Sequence, residues 1–382
     1  MNIRFLIFVM VIFAVLALSS AYVGYRWIAR SAWAAEHRAV VWVTLGVFVF
    51  VQLLAPFLYR NVSDVSDRWS VVHWCVYVVL GIFSCVVFYT AAADLFLSVW
   101  RGLLHTTPVD VERRSFLVVG IMTLISAAVG TLQAIAGPRV YEVDLPLSNF
   151  PKEMDGFTIA QISDLHAGPT IRREYVEAVV AATNALKPDL IALTGDFVGG
   201  TVDQLRDVLA PLRNLQSKNG VYFVTGNHEY YWGVLDWLQE FRRLGVQVLL
   251  NEHVLIQRGG GTFVLAGVTD YHADRILPEH ASDPAKALEG APQDTAKILL
   301  AHQPASYAEA SEAGYHLQLS GHTHGGQYFP WSLLVALFQR YYKGLNKHKN
   351  MWVYVNRGTG YWGPPMRFTV PSEITLLKLR AV

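Results

Sequence analysis

Cysteine is nearly missing from this chain: Cys75 and Cys85 are the only two in 382 residues, too few for a disulfide framework or a thiolate zinc site. Charge is scarce as well. Asp, Glu, Lys and Arg make up 16%, against about 25% in an ordinary soluble domain. The net charge of +1 excludes a strongly basic nucleic-acid binder, so no nucleic acid is expected as a partner. The shortage of charge is local: positions 1–138 hold only 15 of the 61 charged residues, and the first lysine is Lys152. Hydrophobic residues make up 53% of the chain, and its length suits two or three domains at about 150 residues each. A wholly soluble single domain is thereby excluded.

Four stretches carry no Asp, Glu, Lys or Arg: residues 5–25, 39–59, 69–93 and 115–138, each 21 to 25 residues long. A bilayer-spanning helix needs about 20, and backbone groups in hydrocarbon must bond within the segment. We therefore expect a four-helix transmembrane region over 1–138. Tyr22, Tyr25, Trp27, Tyr59, Trp69 and Trp100 cluster at the ends of these runs, as interfacial aromatics do. Arg26, Arg30 and Arg38 in the first loop, and Arg101, Arg113 and Arg114 in the third, outnumber Arg60 and Arg68 in the second. The positive-inside rule then puts both termini outside the cytoplasm. Glu112-Arg113-Arg114-Ser115-Phe116-Leu117, an apolar run and Ala134-Ile135-Ala136 resemble a twin-arginine export signal, either cleaved or kept as a fourth span. Both features favour a multi-pass protein of the cell membrane with an extracytoplasmic C-terminal domain. His73 and Asp94 are the few polar groups in or beside the runs, which suits an anchor better than a transporter.

After a linker expected over 139–154, strand-like and helical runs alternate. Residues 158–162, 189–194 and 221–225 read as strands, with helices over 172–186, 202–216 and 235–244 between and after them. Further strands are expected at 246–250, 262–268, 297–301, 316–320, 351–356 and 374–379. This order is that of an α/β sandwich with partly parallel strands. The strand exits are more specific: Ser163-Asp164-Leu165-His166, Gly195-Asp196, Gly226-Asn227-His228-Glu229, Ala301-His302 and Gly321-His322-Thr323-His324. Ligands in such sheets sit outside the carboxyl ends of strands. Five distant turns thus deliver carboxylate, amide and imidazole to one rim. Oxygen and nitrogen donors without thiolate suit Mn²⁺, Fe or Zn²⁺. Asp164, His166, Asp196, Asn227, His302, His322 and His324 are more ligands than one ion needs, whereas two ions sharing a carboxylate use them all. Two cations about 3.5–4 Å apart form a clamp for in-line attack at phosphorus.

Residues 155–382 resemble a calcineurin-like metallophosphoesterase, and more narrowly its membrane-anchored bacterial branch, through these motifs and through SGHTHGGQ, a hydrophobic insert and NRGTGYWGPPMRFTVPSEITLL. The resemblance implies a four-layer αββα sandwich with two mixed sheets. It implies one metal on Asp164, His166 and His324, another on Asn227, His302 and His322, and Asp196 bridging them. His228 would protonate the leaving oxygen or steady the transition-state charge. One departure is Gly199, where the family often has a second, supporting aspartate.

Other candidates are weaker. His253, His272, His280, His316 and His348 lack partners at ligand spacing and read as structural, while Asp270 and His272 are candidates for the pocket rim. The apolar insert Tyr328–Tyr342, with Arg340, Lys343, Lys347 and Lys349, is either a helix packed on its own domain or an interfacial helix in the lipid headgroup layer. The expected function is a membrane-anchored phosphohydrolase of phosphoesters, in particular phosphodiesters, acting on a lipid-linked or envelope substrate. A multi-pass sensor with a binding-only domain is the alternative, but such a domain has no need of His228.

Overall fold

A computed structural model describes the backbone of residues 3–29, 38–61, 67–104 and 111–382. The chain divides into two compact units, residues 1–132 with 363–366, and residues 133–362 with 367–382.

In the first unit the four uncharged runs fall in four helices: α1 (Ile3–Gly24), α2 (Arg38–Asn61), α3 (Asp67–Leu104) and α4 (Val111–Ile135). Among the described residues, two stretches are long and apolar enough to cross a membrane, Trp69–Trp100 and Arg114–Ile135; Leu45–Leu54 of α2 is apolar but short. The structure thus supports two spans where four are expected. The side chains of residues 41, 44 and 55–57 in α2, and of residues 1–9 and 12 in and before α1, lie outside the described residues. So do Arg30 and the side chains of Arg38, Arg60, Arg68, Arg101 and Arg113, on which the expected orientation rests. The third run does not stop at residue 93. α3 continues through Asp94, whose carboxylate is neutralised by Arg26 Nε (2.6 Å) and accepts from the Tyr22 hydroxyl (2.8 Å). α4 ends at Ile135, short of residue 138, where Gly137 turns at φ +80° and Pro138 cannot continue a helix.

The second unit holds twelve strands. Residues 139–154, expected as a linker, instead carry β1 (Arg139–Leu147) and a 3-10 turn at Lys152–Met154. The sequence RVYEVDLPL buries Leu145 and Leu147, but its strand partner lies at the far end of the chain and leaves no local signal. The other strands are β2 (Phe157–Ile162), β3 (Leu190–Leu193), β4 (Val221–Phe223), β5 (Gln247–Val248), β6 (Glu252–Arg258) and β7 (Gly261–Gly267), then β8 (Lys297–Leu300), β9 (Leu317–Ser320), β10 (Gly344–His348), β11 (Met351–Val355) and β12 (Glu373–Ala381). One six-stranded sheet has the order β1-β12-β2-β3-β4-β5 and the other β10-β11-β9-β8-β7-β6. Both are mixed. β2, β3, β4 and β5 run parallel with β12 antiparallel to β2, and β7, β8, β9 and β11 run parallel between two antiparallel edges.

The sheets pack face to face over one apolar core, in which Phe157, Ile159 and Leu190 of the first meet Phe263, Leu265, Ile298 and Leu317 of the second. Helices α5 (Arg173–Ala185), α6 (Val202–Leu209), α7 (Asn227–Tyr231) and α8 (Val234–Arg243) punctuate the first half. Phe241 of α8 stacks on Phe223 of β4 at 4.0 Å, covering the outside of the first sheet. Ala310 of α9 (Tyr307–Glu312) joins Ala266, Leu299 and Val353 outside the second.

Asp189 ties β2 to β3. Its carboxylate accepts from Thr158 N (3.0 Å) and Oγ1 (3.1 Å), and pairs with Lys218 (3.0 Å) and Arg258 (3.2 Å). Burial alone would raise its pKa, but the Lys218 and Thr158 bonds outweigh burial and hold the carboxyl below its usual range. A lowered folded-state pKa supplies stability above the unfolded value, lost as pH falls through the folded one. Asp189→Asn should therefore cost about 1–2 kcal/mol at neutral pH, seen as a melting point lower by about 2–8 °C. The gap to the unaltered protein should close below about pH 4. An equal gap at both pH values in thermal unfolding would refute this.

Candidate metal centre

The candidate ligands follow the carboxyl ends of β2, β3, β4, β8 and β9, so both sheets contribute to one spot. Each strand exit turns sharply. Asp164, His166, Asp196, His322 and His324 all lie at positive φ, between 50° and 70°. Such backbone costs on the order of 1–3 kcal/mol per residue and persists where the surroundings fix it. The exits are stitched together: Asp164 N donates to Gly195 O and His166 N to Asp196 O, both at 3.0 Å, and Gly321 N donates to His302 O at 2.9 Å. Glycine is required where these loops touch, because a Cβ on Gly321 would fall on Ser163 Oγ and Asp164 Oδ2.

Three groups have their donor atoms within 4.8 Å of one another: Asp164, His166 and His324; His166, Asp196 and His228; and Asp196, His302 and His322. His166 Nε2 faces His324 Nε2 at 3.0 Å, and His322 Nδ1 faces His302 Nε2 at 3.2 Å. Asp196 Oδ2 stands between the sets, 3.2 Å from His302 Nε2, 3.9 Å from His166 Nε2 and 4.0 Å from His228 Nε2. Asn227 opens α7, and its Oδ1 is buried without a hydrogen-bond partner. A buried amide oxygen left this way, with pairs of ring nitrogens converging on each other, fits cation ligation. All seven expected ligands therefore stand at strand exits of the two sheets, six of them within these groups and Asn227 beside His228.

Burial lowers the pKa values of His166 and His324 well below the ordinary value and that of His322 to about 3, so these rings are neutral at pH 7 and present lone pairs. Burial would raise the Asp196 carboxyl, but the imidazoles of His302 and His228 outweigh it and hold the group ionised. Burial opposes charge on His302 too, yet Asp196 wins and raises that ring well above its ordinary range. Burial pushes Asp164 up to about 6. His302 Nδ1 lies 2.7 Å from Thr194 O, and His228 Nδ1 3.1 Å from Val198 O. An N–H donated to each carbonyl leaves Nε2 as the nitrogen facing the site. Burial also lowers His228, against Asp196. This ring is therefore neutral at pH 7, without the protonated fraction of about a quarter that an ordinary histidine keeps there.

Two supporting residues lie outside the set expected from the sequence. Glu229 is fully buried and accepts from the backbone N–H of Asp196 (3.0 Å), Gly226 (2.6 Å) and Phe197 (2.8 Å). It sits inside the Gly226–Glu229 motif, which is the signal that points to it. Arg367, also fully buried, donates to Arg357 O (2.6 Å) and His324 O (3.3 Å) and reaches His324 Nδ1 at 3.1 Å. Asp270 is not a rim residue. It is 1% exposed and accepts from Gln303 Nε2 at 2.9 Å, bracing the loop that carries His302. His253, His280, His316 and His348 contact a carbonyl, a tyrosine, a backbone N–H and a tyrosine respectively, in keeping with structural roles. At Gly199 an added Cβ would stand 3.2 Å from Ala167 O, so an aspartate there would need the loop to give by a few tenths of an ångström.

The sequence model of the calcineurin-like phosphoesterase family matches residues 157–326. A bovine protein (Bos taurus) described as a transmembrane protein with metallophosphoesterase domain is 38% identical over 320 residues, covering 80% of this chain and 72% of that one. Its zebrafish namesake (Danio rerio) is 37% identical over 268 residues, 68% of this chain and 61% of that one. An uncharacterized metallophosphoesterase of Helicobacter pylori is 39% identical over 252 residues, 65% of this chain and 66% of that one. On this similarity and the fold that carries it, the chain belongs to the calcineurin-like metallophosphoesterases, a family with both transmembrane and bacterial relatives.

Proposed function

We propose that this protein is a membrane-anchored phosphohydrolase that uses two divalent cations, Mn²⁺, Fe or Zn²⁺, to cleave phosphoesters by water, phosphodiesters foremost. Asp164, His166 and His324 hold one cation; Asn227, His302 and His322 hold the other; Asp196 serves both. The observation that carries the reading is the single oxygen Asp196 Oδ2, which faces His302 at 3.2 Å and His166 at 3.9 Å, one from each set. When bound, such a pair lowers the pKa of a water and neutralises charge at the phosphoryl group. The chain's own residues orient and desolvate. Glu229 fixes the Asp196 and Gly226 backbone, Arg367 fixes the His324 loop, and His228, once Nε2 has taken up a proton beside the Asp196 carboxylate, carries it to the leaving oxygen or steadies developing charge. The membrane tether favours a lipid-linked or envelope substrate.

The test is metal stoichiometry with activity. The full-length chain, purified in detergent, should contain two metal ions per chain by elemental analysis. It should hydrolyse bis(p-nitrophenyl) phosphate, lose that activity to a chelator and regain it with one of the three metals. One ion per chain, or activity untouched by chelation, would defeat the two-cation reading.

A further inference from the structure

The insert after the last histidine motif is built inside out. Helix α10 (Trp331–Phe338) reads WSLLVALF, and its only polar residue, Ser332, is its only buried one. Trp331 is 40%, Leu333 50%, Leu337 77% and Phe338 84% exposed. A helix packed on its own domain turns its apolar face inward; this one presents it to the surroundings.

The charge around it has one sign. Residues 313–372 contain no Asp or Glu but six Lys and Arg, of which Arg340, Lys343, Lys347 and Lys349 follow α10 and are exposed. Arg340 lies over the Tyr307 and Tyr341 rings at 5.8 and 5.6 Å, Lys343 over Tyr342 at 5.1 Å and Lys347 over Trp352 at 4.8 Å. The salt bridges among the described residues include none from these four cations. An apolar ridge flanked by unneutralised cations is complementary to an anionic membrane surface, with hydrocarbon below and phosphate above.

The ridge is tied to the metal centre. Trp331 comes two turns of chain after His324, and Gly326 lies so close to Ser332 that a Cβ there would overlap the Ser332 backbone. The adjoining Gln327 side chain accepts from Trp362 N (2.8 Å) and donates to Trp362 O (2.9 Å). The Trp362 ring, 52% exposed, stands edge-on to His228 at 6.1 Å. A metal-ligand candidate and the apolar helix thus share one short piece of chain, and Gln327 within it holds the indole beside His228.

We infer that α10 and its basic flank are a lipid-docking surface, seating this domain in the headgroup layer of an anionic bilayer so that the phosphoester drawn into the site is a lipid headgroup. The inference rests on the phosphohydrolase reading for its substrate, but the docking itself does not require catalysis. Trp331, Leu333, Leu337 and Phe338 enter the acyl boundary, while Arg340, Lys343, Lys347 and Lys349 take the lipid phosphates.

The full chain in nanodiscs of phosphatidylcholine, alone or mixed with phosphatidylglycerol, provides the test. A nitroxide placed by Leu337→Cys in a Cys75→Ser, Cys85→Ser background should collide with oxygen in preference to a water-soluble nickel chelate, more so in the anionic disc. In parallel, L337D/F338D should cut hydrolysis of phosphatidyl-p-nitrophenol in the disc by about tenfold or more. The same variant should leave soluble bis(p-nitrophenyl) phosphate turnover within about twofold, since neither residue touches the site. K343E/K347E should lose about tenfold on the lipid substrate in the anionic disc only. A nickel-accessible label in both discs, as a protein partner for this helix would leave it, overturns the docking; so does unchanged lipid turnover in L337D/F338D. If the unaltered chain cleaves neither substrate, the phosphohydrolase reading fails instead, and the label still decides the docking.

Discussion

Asp196→Ala is expected to lower kcat/KM for bis(p-nitrophenyl) phosphate by about 10³-fold or more and to reduce bound metal below two ions per chain. The side chain does two jobs at once. Oδ2 faces imidazoles of both ligand sets, and Oδ1 accepts the His228 N–H at 2.8 Å. Its removal leaves buried imidazoles without the carboxylate that compensates them. The substitution also relieves nothing in the backbone, since alanine at φ +58° is no more comfortable than aspartate. Elemental analysis alongside steady-state kinetics checks it, and full metal content with near-normal turnover would remove Asp196 from the centre.

Glu229→Ala comes second in expected size and tests a residue that reaches the reaction only through others. Three buried backbone N–H groups lose their acceptor, each worth about 1–3 kcal/mol when left unpaired. The two loops they belong to carry Asp196 and Asn227. Metal affinity should fall about 10- to 100-fold, with turnover recovering as metal is raised, a pattern that simple unfolding does not give. Burial and the neighbouring Asp196 push the Glu229 carboxyl up to about 8, so its neutral form is accessible. Glu229→Gln should therefore be milder than alanine, though one arm now presents a donor where an acceptor is needed. Equal metal titrations for the unaltered chain and both variants would reduce Glu229 to a packing residue.

The legible part of the site is the chemistry at strand ends. Asp, Asn and His after an apolar run are poor packing choices, so Asp196, Asn227 and His322 stand out in the bare sequence. Of the supporting residues, Glu229 is signalled only by its place in the Gly226–Glu229 motif and Arg367 by nothing, because their partners are mostly backbone atoms. Arg367 binds the carbonyls of Arg357 and His324, which no side-chain pattern reveals, and a fully buried arginine contradicts the ordinary expectation for its charge. Strands β6 and β10 are hidden for a related reason. EHVLIQR and GLNKH alternate on sheet edges, where half the side chains are solvated and the apolar signal is weak. In the first unit the error runs the other way, since absence of charge marks an apolar run without fixing where a helix ends. Asp94 is carried inside α3 by Arg26 and Tyr22, residues from another helix and its continuation.

The place of β12 between β1 and β2 has a consequence for how the protein is made. All nine residues of β1 pair with residues 373–381, and β2 bonds the other side of the same strand. Until the ribosome has delivered residue 381, the two strands that follow α4 in the chain have unfilled edges. The first sheet cannot close during elongation, so this interval is when a nascent copy is most prone to pairing with a neighbour.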